Sequence, residues 1–494
     1  MNAKEKLAIV WLKRDLRIQD NEAILNALNT GKRVLLLYVF EDFLIKDPHY
    51  DVRHWNFIKE SIKDLNNILS EYNSKILAVN SEVAATINLL QQKYHIQDLF
   101  SHQETGLLCT YHRDKKIKRY CHNNLIQWKE NIWNGVFRGM TNRKGWVSQW
   151  TDYMNKDLIE FKPNNQLLTL KEIDDLEKIF SVTDLSTPEE SPIQKGGVTE
   201  ALNYQNTFFK EQYLQNTKQE SRLKISKDSC SRLSPYLAWG NFSTRQVWHA
   251  AKNIRPISKN KKDLDSFTSR LKWQAHFIQK FEMEHTMEDS SMNKGYHLLK
   301  KSVSVKYQEA WQKGNTGIPM IDACMRCLNE TGYLNFKMRA MIVSFFTHLL
   351  WQPWQDGAVY LSKVFIDFEP GIHFAQVQMQ AGETGVNTLR IYNPVKDGYE
   401  NDSNANFIRK WVPELAHLQT KHIHEPYLMT PLEQNLYNIK IGVEYPSPII
   451  DLKANRKRAS KILWEMKNDA LVMQENDRIL AKHAPHKGSL NIAG

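Results

Sequence analysis

The chain has 494 residues, 41% of them hydrophobic and 24% charged, and a net charge of +11. That length exceeds one ordinary hydrophobic core, so two or more domains are expected. Its apolar runs, such as "VLLLYVF" (34–40), fall far short of the roughly 20 residues that span a bilayer, and the N-terminus lacks a signal-peptide core. A cytoplasmic protein without membrane contact is therefore expected.

In chain order, "LAIVWL" (7–12) predicts a buried strand, "NEAILNALN" (21–29) a helix and "RVLLLYVF" (33–40) a second strand. "KILAVN" (75–80), helix-patterned "VAATINLLQQKY" (83–94), "QDLFSHQ" (97–103) and "LIQWKEN" (125–131) continue the alternation. Strands alternating with helices imply a parallel sheet covered on its faces, giving an α/β domain over 1–135. No G-x-G-x-x-G follows the first strand, so the common dinucleotide fingerprint is missing. Residues 136–200 are polar and irregular, with Pro163, Pro188 and Pro192, and read as a linker crossing the surface. From 201 to 494 apolar residues recur three and four apart, which predicts an all-α domain.

The positive charge favours an anionic partner, nucleic acid first, with a generally basic surface as the alternative. Five cysteines, Cys109, Cys121, Cys230, Cys324 and Cys327, make a sparse and odd set that fits a reducing compartment. The lone C-x-x-C of Cys324 and Cys327 lies in a helix-patterned run, so these read as free thiols on one helix face, and no metal site is expected. "SCSRLSPYLAWGNFS" (229–243) sets hydroxyl residues before a helix-like run, as an N-cap or as a phosphate contact. "GYLNFKMRAM" (332–341) places Lys337 and Arg339 where a helix enters an apolar stretch, and a buried Arg339 would need a carboxylate such as Asp367.

Four segments in order, "WLKRDLRIQDNEAI" (11–24), "SRLSPYLAWGNFS" (231–243), "TGIPMIDACMRCLNETGYL" (316–334) and "RIYNPVKDG…FIRKWVPEL" (390–415), resemble the photolyase/cryptochrome family. The resemblance runs from about residue 5 to 470 and implies a Rossmann-like photolyase domain, a linker and a helical FAD-binding domain. By similarity Ser231, Arg232, Leu233 and Ser234 touch the FAD phosphates, with Tyr213 a looser candidate. Asp367 and Glu369 match the acidic pair beside the flavin, Arg339 the partner of Asp367, and His373 the residue facing flavin N5. Trp273 matches the tryptophan lining the cavity, and Trp354 the middle member of the electron relay.

The resemblance further implies a blue-light-driven enzyme that repairs UV-damaged DNA by passing an electron from FAD to a flipped-out pyrimidine dimer. A monomer is expected, with a second, antenna chromophore that no motif identifies as folate, deazaflavin or flavin. Several positions depart from the best-known dimer-repair class. Arg270 replaces a glutamate, Phe336 an asparagine and Met379 a tryptophan at the lesion contacts, beside Lys337 and Trp273. Val377 and Lys301 replace the inner and outer relay tryptophans, leaving Trp351, Trp311 or a tyrosine as another route. A cryptochrome-like photoreceptor without repair activity is the alternative implied by the same family.

Overall fold

The computed structural model describes residues 4–210 and 230–484. Five parallel strands, β1 (Lys6–Leu12), β2 (Arg33–Phe40), β3 (Leu77–Asn80), β4 (His95–His102) and β5 (Gln127–Asn131), form one sheet in the order β3-β2-β1-β4-β5. Side chains alternate along a strand, so β1 feeds two cores. Ala8, Val10 and Leu12 join Phe57, Ile58 and Ile62 of the helix Val52–Ser70. Leu7, Ile9 and Trp11 join Val83, Ile87 and Leu90 of the helix Val83–Lys93, and Ile117 and Cys121 of the helix Leu108–Asn123. Helices on both faces explain why β1 and β2 read as near-continuous apolar runs.

Beyond residue 200 no strand is formed among the described residues; helices carry the chain to His483. Pro319, Pro370 and Pro394 each open a helix at the position where a missing N–H is no loss. Cys324 and Cys327 are buried in the helix Pro319–Thr331, and burial pushes the Cys327 thiol up to about 11, which keeps it unreactive. Among the described residues no helix is long and apolar enough to cross a membrane.

The stretch 136–200 differs from the surface linker that its polarity suggests. It contains the helices Trp146–Met154 and Leu170–Glu177, and Trp146, Trp150 and Met154 are fully buried at a four-residue spacing. That spacing puts all three on one helix face, and the polar residues between them hid it.

Two of the signature segments turn out to be one docking device. Arg14 Nε donates to the Ala238 carbonyl (3.1 Å), its guanidinium lies 4.4 Å from the centre of the Trp239 ring, and Arg17 Nη1 donates to the Gly240 carbonyl (3.2 Å). Asn241 Nδ2 donates to the Leu16 carbonyl (3.2 Å). Gly240 sits at φ +74°, and a Cβ there would lie 2.1 Å from the Arg14 carbonyl oxygen, so the close approach requires glycine. Arg245 reaches back to grip Asp20 with Nε (3.1 Å) and Nη2 (2.5 Å), both side chains being almost fully buried. The helical region is thereby bolted to the carboxyl end of β1.

Candidate functional site

The segment 367–385 carries three carboxylates, and each is matched by its own buried or half-buried cation. Asp367 receives Arg339 Nη1 and Nη2 on its two oxygens, both at 2.9 Å, and the Ser234 hydroxyl at 2.6 Å. Glu369 faces Arg14 at 3.6 Å, and Glu383 pairs with Lys301 at 2.9 Å. The sequence expectation of an Asp367–Glu369 pair beside one ligand is thus divided by the structure. Asp367 belongs to the Arg339 cluster, whereas Glu369 turns toward the sheet end.

Arg339 is placed by the helix Phe336–Ser344, whose first turn is capped by the Asn335 side chain accepting from Met338 N. Its Nε donates to the Leu334 carbonyl (2.7 Å), and its guanidinium lies 4.1 Å from the Phe365 ring centre. All the direct constraints therefore fix one orientation. Burial alone would raise the Asp367 pKa, but the Arg339 charge and the two sets of hydrogen bonds outweigh it and hold the carboxyl ionised. For Glu369 burial wins over Arg14, and its pKa is raised.

Arg232 adopts a left-handed backbone, φ +55°, which a non-glycine side chain disfavours and which clusters at ligand sites. Gln194 holds it there, accepting from Arg232 Nε (3.1 Å) and donating to its carbonyl (2.8 Å), while the guanidinium stacks 4.0 Å from Tyr333. Ser231 Oγ accepts from Leu233 N at 3.5 Å, and Leu233 is buried. Ser234, expected on a phosphate, commits its hydroxyl to Asp367 instead. Tyr213 lies outside the described residues.

Residues 8–136 match the family model "DNA photolyase", and residues 267–465 match "FAD binding domain of DNA photolyase". The chain belongs to the photolyase/cryptochrome family. A deoxyribodipyrimidine photo-lyase of Alkalihalophilus pseudofirmus is 32% identical over 231 residues, 46% of this chain and 48% of that one. A cryptochrome DASH of Synechocystis sp. is 23% identical over 487 residues, covering 92% and 97% of the two chains. The crystal structure of a Synechocystis cryptochrome superposes with a TM-score of 0.82 at 20% identity, over 94% of this chain and 100% of that one. The family's α/β region followed by a mostly helical region is the architecture found here.

Within that frame His373 is buried at 9% exposure, and its Nε2–H donates to the Ala358 carbonyl (2.9 Å). That bond leaves Nδ1 as the lone-pair nitrogen. Burial depresses its pKa to about 4, so the ring is neutral near pH 7 and supplies no positive charge. His54 is held alike, Nε2–H on the Phe365 carbonyl (2.9 Å), at about 4.

A pH dependence follows from these two histidines. Unfolded histidine takes a proton near 6.5, whereas these folded ones resist it down to about 4. Their contribution to stability is complete above pH 6.5 and is lost as pH falls toward 4. Urea unfolding should therefore show a loss of about 2 kcal/mol for each ring between pH 7 and pH 5. His373→Asn should make the loss over this interval smaller by about 2 kcal/mol, the share of its own ring, and an unchanged loss would contradict the assignment.

Trp354 is fully buried, and its Nε1 donates to Ser291 Oγ (3.0 Å), which donates to Glu383 (2.6 Å). Lys301, at the outer relay position, closes this network from the far side of Glu383 and lies 5.3 Å from the Trp351 ring centre. Arg458 flanks the same ring at 5.6 Å. Two cations beside Trp351 oppose removal of an electron from it. The Trp311 ring instead packs on Phe346 (4.4 Å) and Tyr360 (5.7 Å). Sequence reading missed the Ser291–Glu383–Lys301 chain, because nothing local links residues so far apart.

Of the residues expected at a lesion, Arg270 is exposed and Phe336 is 59% exposed, a large value for an aromatic side chain. Lys337 Nζ is held by Asp397 (3.2 Å) and Asn401 (3.1 Å). Trp273 is half-buried, 5.2 Å from His276 and 6.0 Å from Phe277, and Met379 is half-buried on the helix Pro370–Gln380.

Proposed function

We propose that this protein is an FAD-dependent, blue-light-driven DNA photolyase acting on UV pyrimidine dimers. The observation that carries the reading is the buried, two-point Arg339–Asp367 pair with Ser234, inside the region matched as an FAD-binding domain. The donor set fits a flavin: a fixed guanidinium favours an electron-rich ring, and an ionised carboxylate can accept a ring N–H. Ser231, the left-handed Arg232 backbone and Leu233 are left for the phosphates, with Tyr213 a further candidate. When bound, FAD supplies the photochemistry, absorbing blue light and lending an electron that splits the dimer.

This chain's residues position and exclude. Neutral His373 offers an acceptor at Nδ1 without adding charge. Phe336 and Met379 give apolar faces on which an extruded base can pack, with Trp273 as the cavity wall. Lys337 and Arg270 supply cations toward the DNA backbone. Trp354 is proposed as an internal electron donor, its indole fixed by Ser291.

A second chromophore would enter where the strand order reverses, between the carboxyl ends of β1 and β4. There the gap between Lys13, Asp15, His102 and Glu104 holds about 10 Å³, room for one water, so the residues present do not fit a folate, deazaflavin or flavin at that point.

A photoreceptor without repair activity is the second reading, favoured by the cryptochrome DASH match along nearly the whole chain and by Met379 and Val377 at positions of usual tryptophans. The test is to mix photoreduced flavoprotein with duplex carrying a cyclobutane dimer or a (6-4) product, illuminate with blue light, and quantify restored bases against a dark control. Restoration of one lesion in the light is the expected result. Restoration of neither, with flavin bound, would overturn the repair reading in favour of the photoreceptor.

A further inference from the structure

A groove of about 1270 Å³ lies between the helix Leu452–Lys467 and the segment 389–395. One face of that helix presents Lys453, Arg456, Lys457 and Lys461 to it, all exposed. Among the described residues no ion pair satisfies Lys453, Arg456 or Lys457, and Lys461 has only Glu465 at 3.9 Å. Against these four cations the groove sets Glu425 and Asp451, and Asp451 is engaged in capping the helix. Trp464, 50% exposed, lines the groove together with Tyr392 and Tyr427.

A row of cations alone would be a solvated helix face. A half-exposed tryptophan lining a concavity beside that row is not explained by solvation. We propose that this groove seats a single nucleic-acid strand, its phosphates on the Lys453–Lys461 face and its unpaired bases on Trp464, Tyr392 and Tyr427. The cations span about 12 Å of helix at 1.5 Å per residue, too long for one phosphate and suited to several. Aromatic faces take any unstacked base, so the site is blind to sequence. It rests on the reading above only in taking nucleic acid as the partner. The groove also adjoins the proposed lesion contacts, since Asn393 caps the helix Pro394–Asn401, whose other end holds Lys337.

The test titrates labelled oligothymidylate against the full-length flavoprotein over a range of salt. Lys457→Gln with Lys461→Gln should lower the salt slope by about 1.4, at roughly 0.7 per single-strand phosphate contact. Trp464→Ala should weaken binding roughly 5- to 100-fold. Both variants should keep their flavin and, where the parent repairs it, light-driven restoration of an isolated thymine-dimer dinucleotide. Wild-type affinity and slope in both variants would overturn the proposal. So would thymidine monophosphate competing as well as the oligomer per nucleotide. If no lesion is repaired yet the variants still lose the oligomer, the groove stands and the repair reading alone falls.

Discussion

Arg339→Ala is expected to release the flavin and to lower stability by about 3–5 kcal/mol. The loss comes less from the missing arginine than from what it leaves behind. The Asp367 side chain is 5% exposed and would remain as a buried charge whose only other side-chain donor among the described residues is Ser234. Arg339→Lys should rescue little, because one ammonium cannot meet both carboxylate oxygens in the fixed two-point geometry. Replacing both partners by apolar residues, Arg339→Met with Asp367→Leu, should recover much of the stability but none of the flavin. Urea unfolding together with flavin absorbance per chain separates the two effects. Full flavin content in Arg339→Ala would show that the pair is structural.

The repeating parts of this fold were legible where burial is simple. β1 and β2 are covered on both faces and so spell out apolar runs, and the Arg339–Asp367 pair was foreseeable because a helix entering the core can carry a cation inward only with a partner. The helix Leu108–Asn123 was not read, because two of its buried positions are Arg113 and Asp114. Both are satisfied by a buried network with Glu41, Glu104 and Lys13, so the inward face looks polar in sequence. The helix Val52–Ser70 does carry the spacing, with Phe57, Ile58, Ile62, Leu65 and Leu69 buried, but lies among polar residues that dilute it. Partners of Glu369 and Glu383 were unreadable for a different reason. Arg14 and Lys301 come from segments that only the tertiary fold brings near, and no local rule couples them. The signature around residues 11–24 was read as a family mark, and its physical task, docking onto residues 238–245, appears only in the contacts.

That docking makes the second large effect. Asp20 is 1% exposed at φ +52° and accepts from Arg245, from the Ser243 hydroxyl and, on the Oδ1 side, from the Ile159 amide (3.2 Å). Arg17 lies close by and binds the Asp20 carbonyl with Nε (3.2 Å) and Nη2 (2.9 Å). The two guanidiniums and the hydrogen bonds hold the Asp20 carboxyl below the usual range in spite of burial. Asp20→Ala would leave Arg17 and Arg245 facing each other with their common counter-charge gone. The expected cost is about 3–5 kcal/mol, the range for removing one partner of a buried pair. Asp20→Asn keeps the shape and should lie between the parent and the alanine variant. Because the contacts join the end of β1 to the helical region, the loss should fall on coupling as well as on total stability. The parent should unfold in urea as one transition, and Asp20→Ala as two, with the sheet signal and the helix signal separating. A single transition displaced by less than about 1 kcal/mol would mean that Arg14 on Trp239 and the Gly240 contact hold the two parts together without the Asp20 clamp.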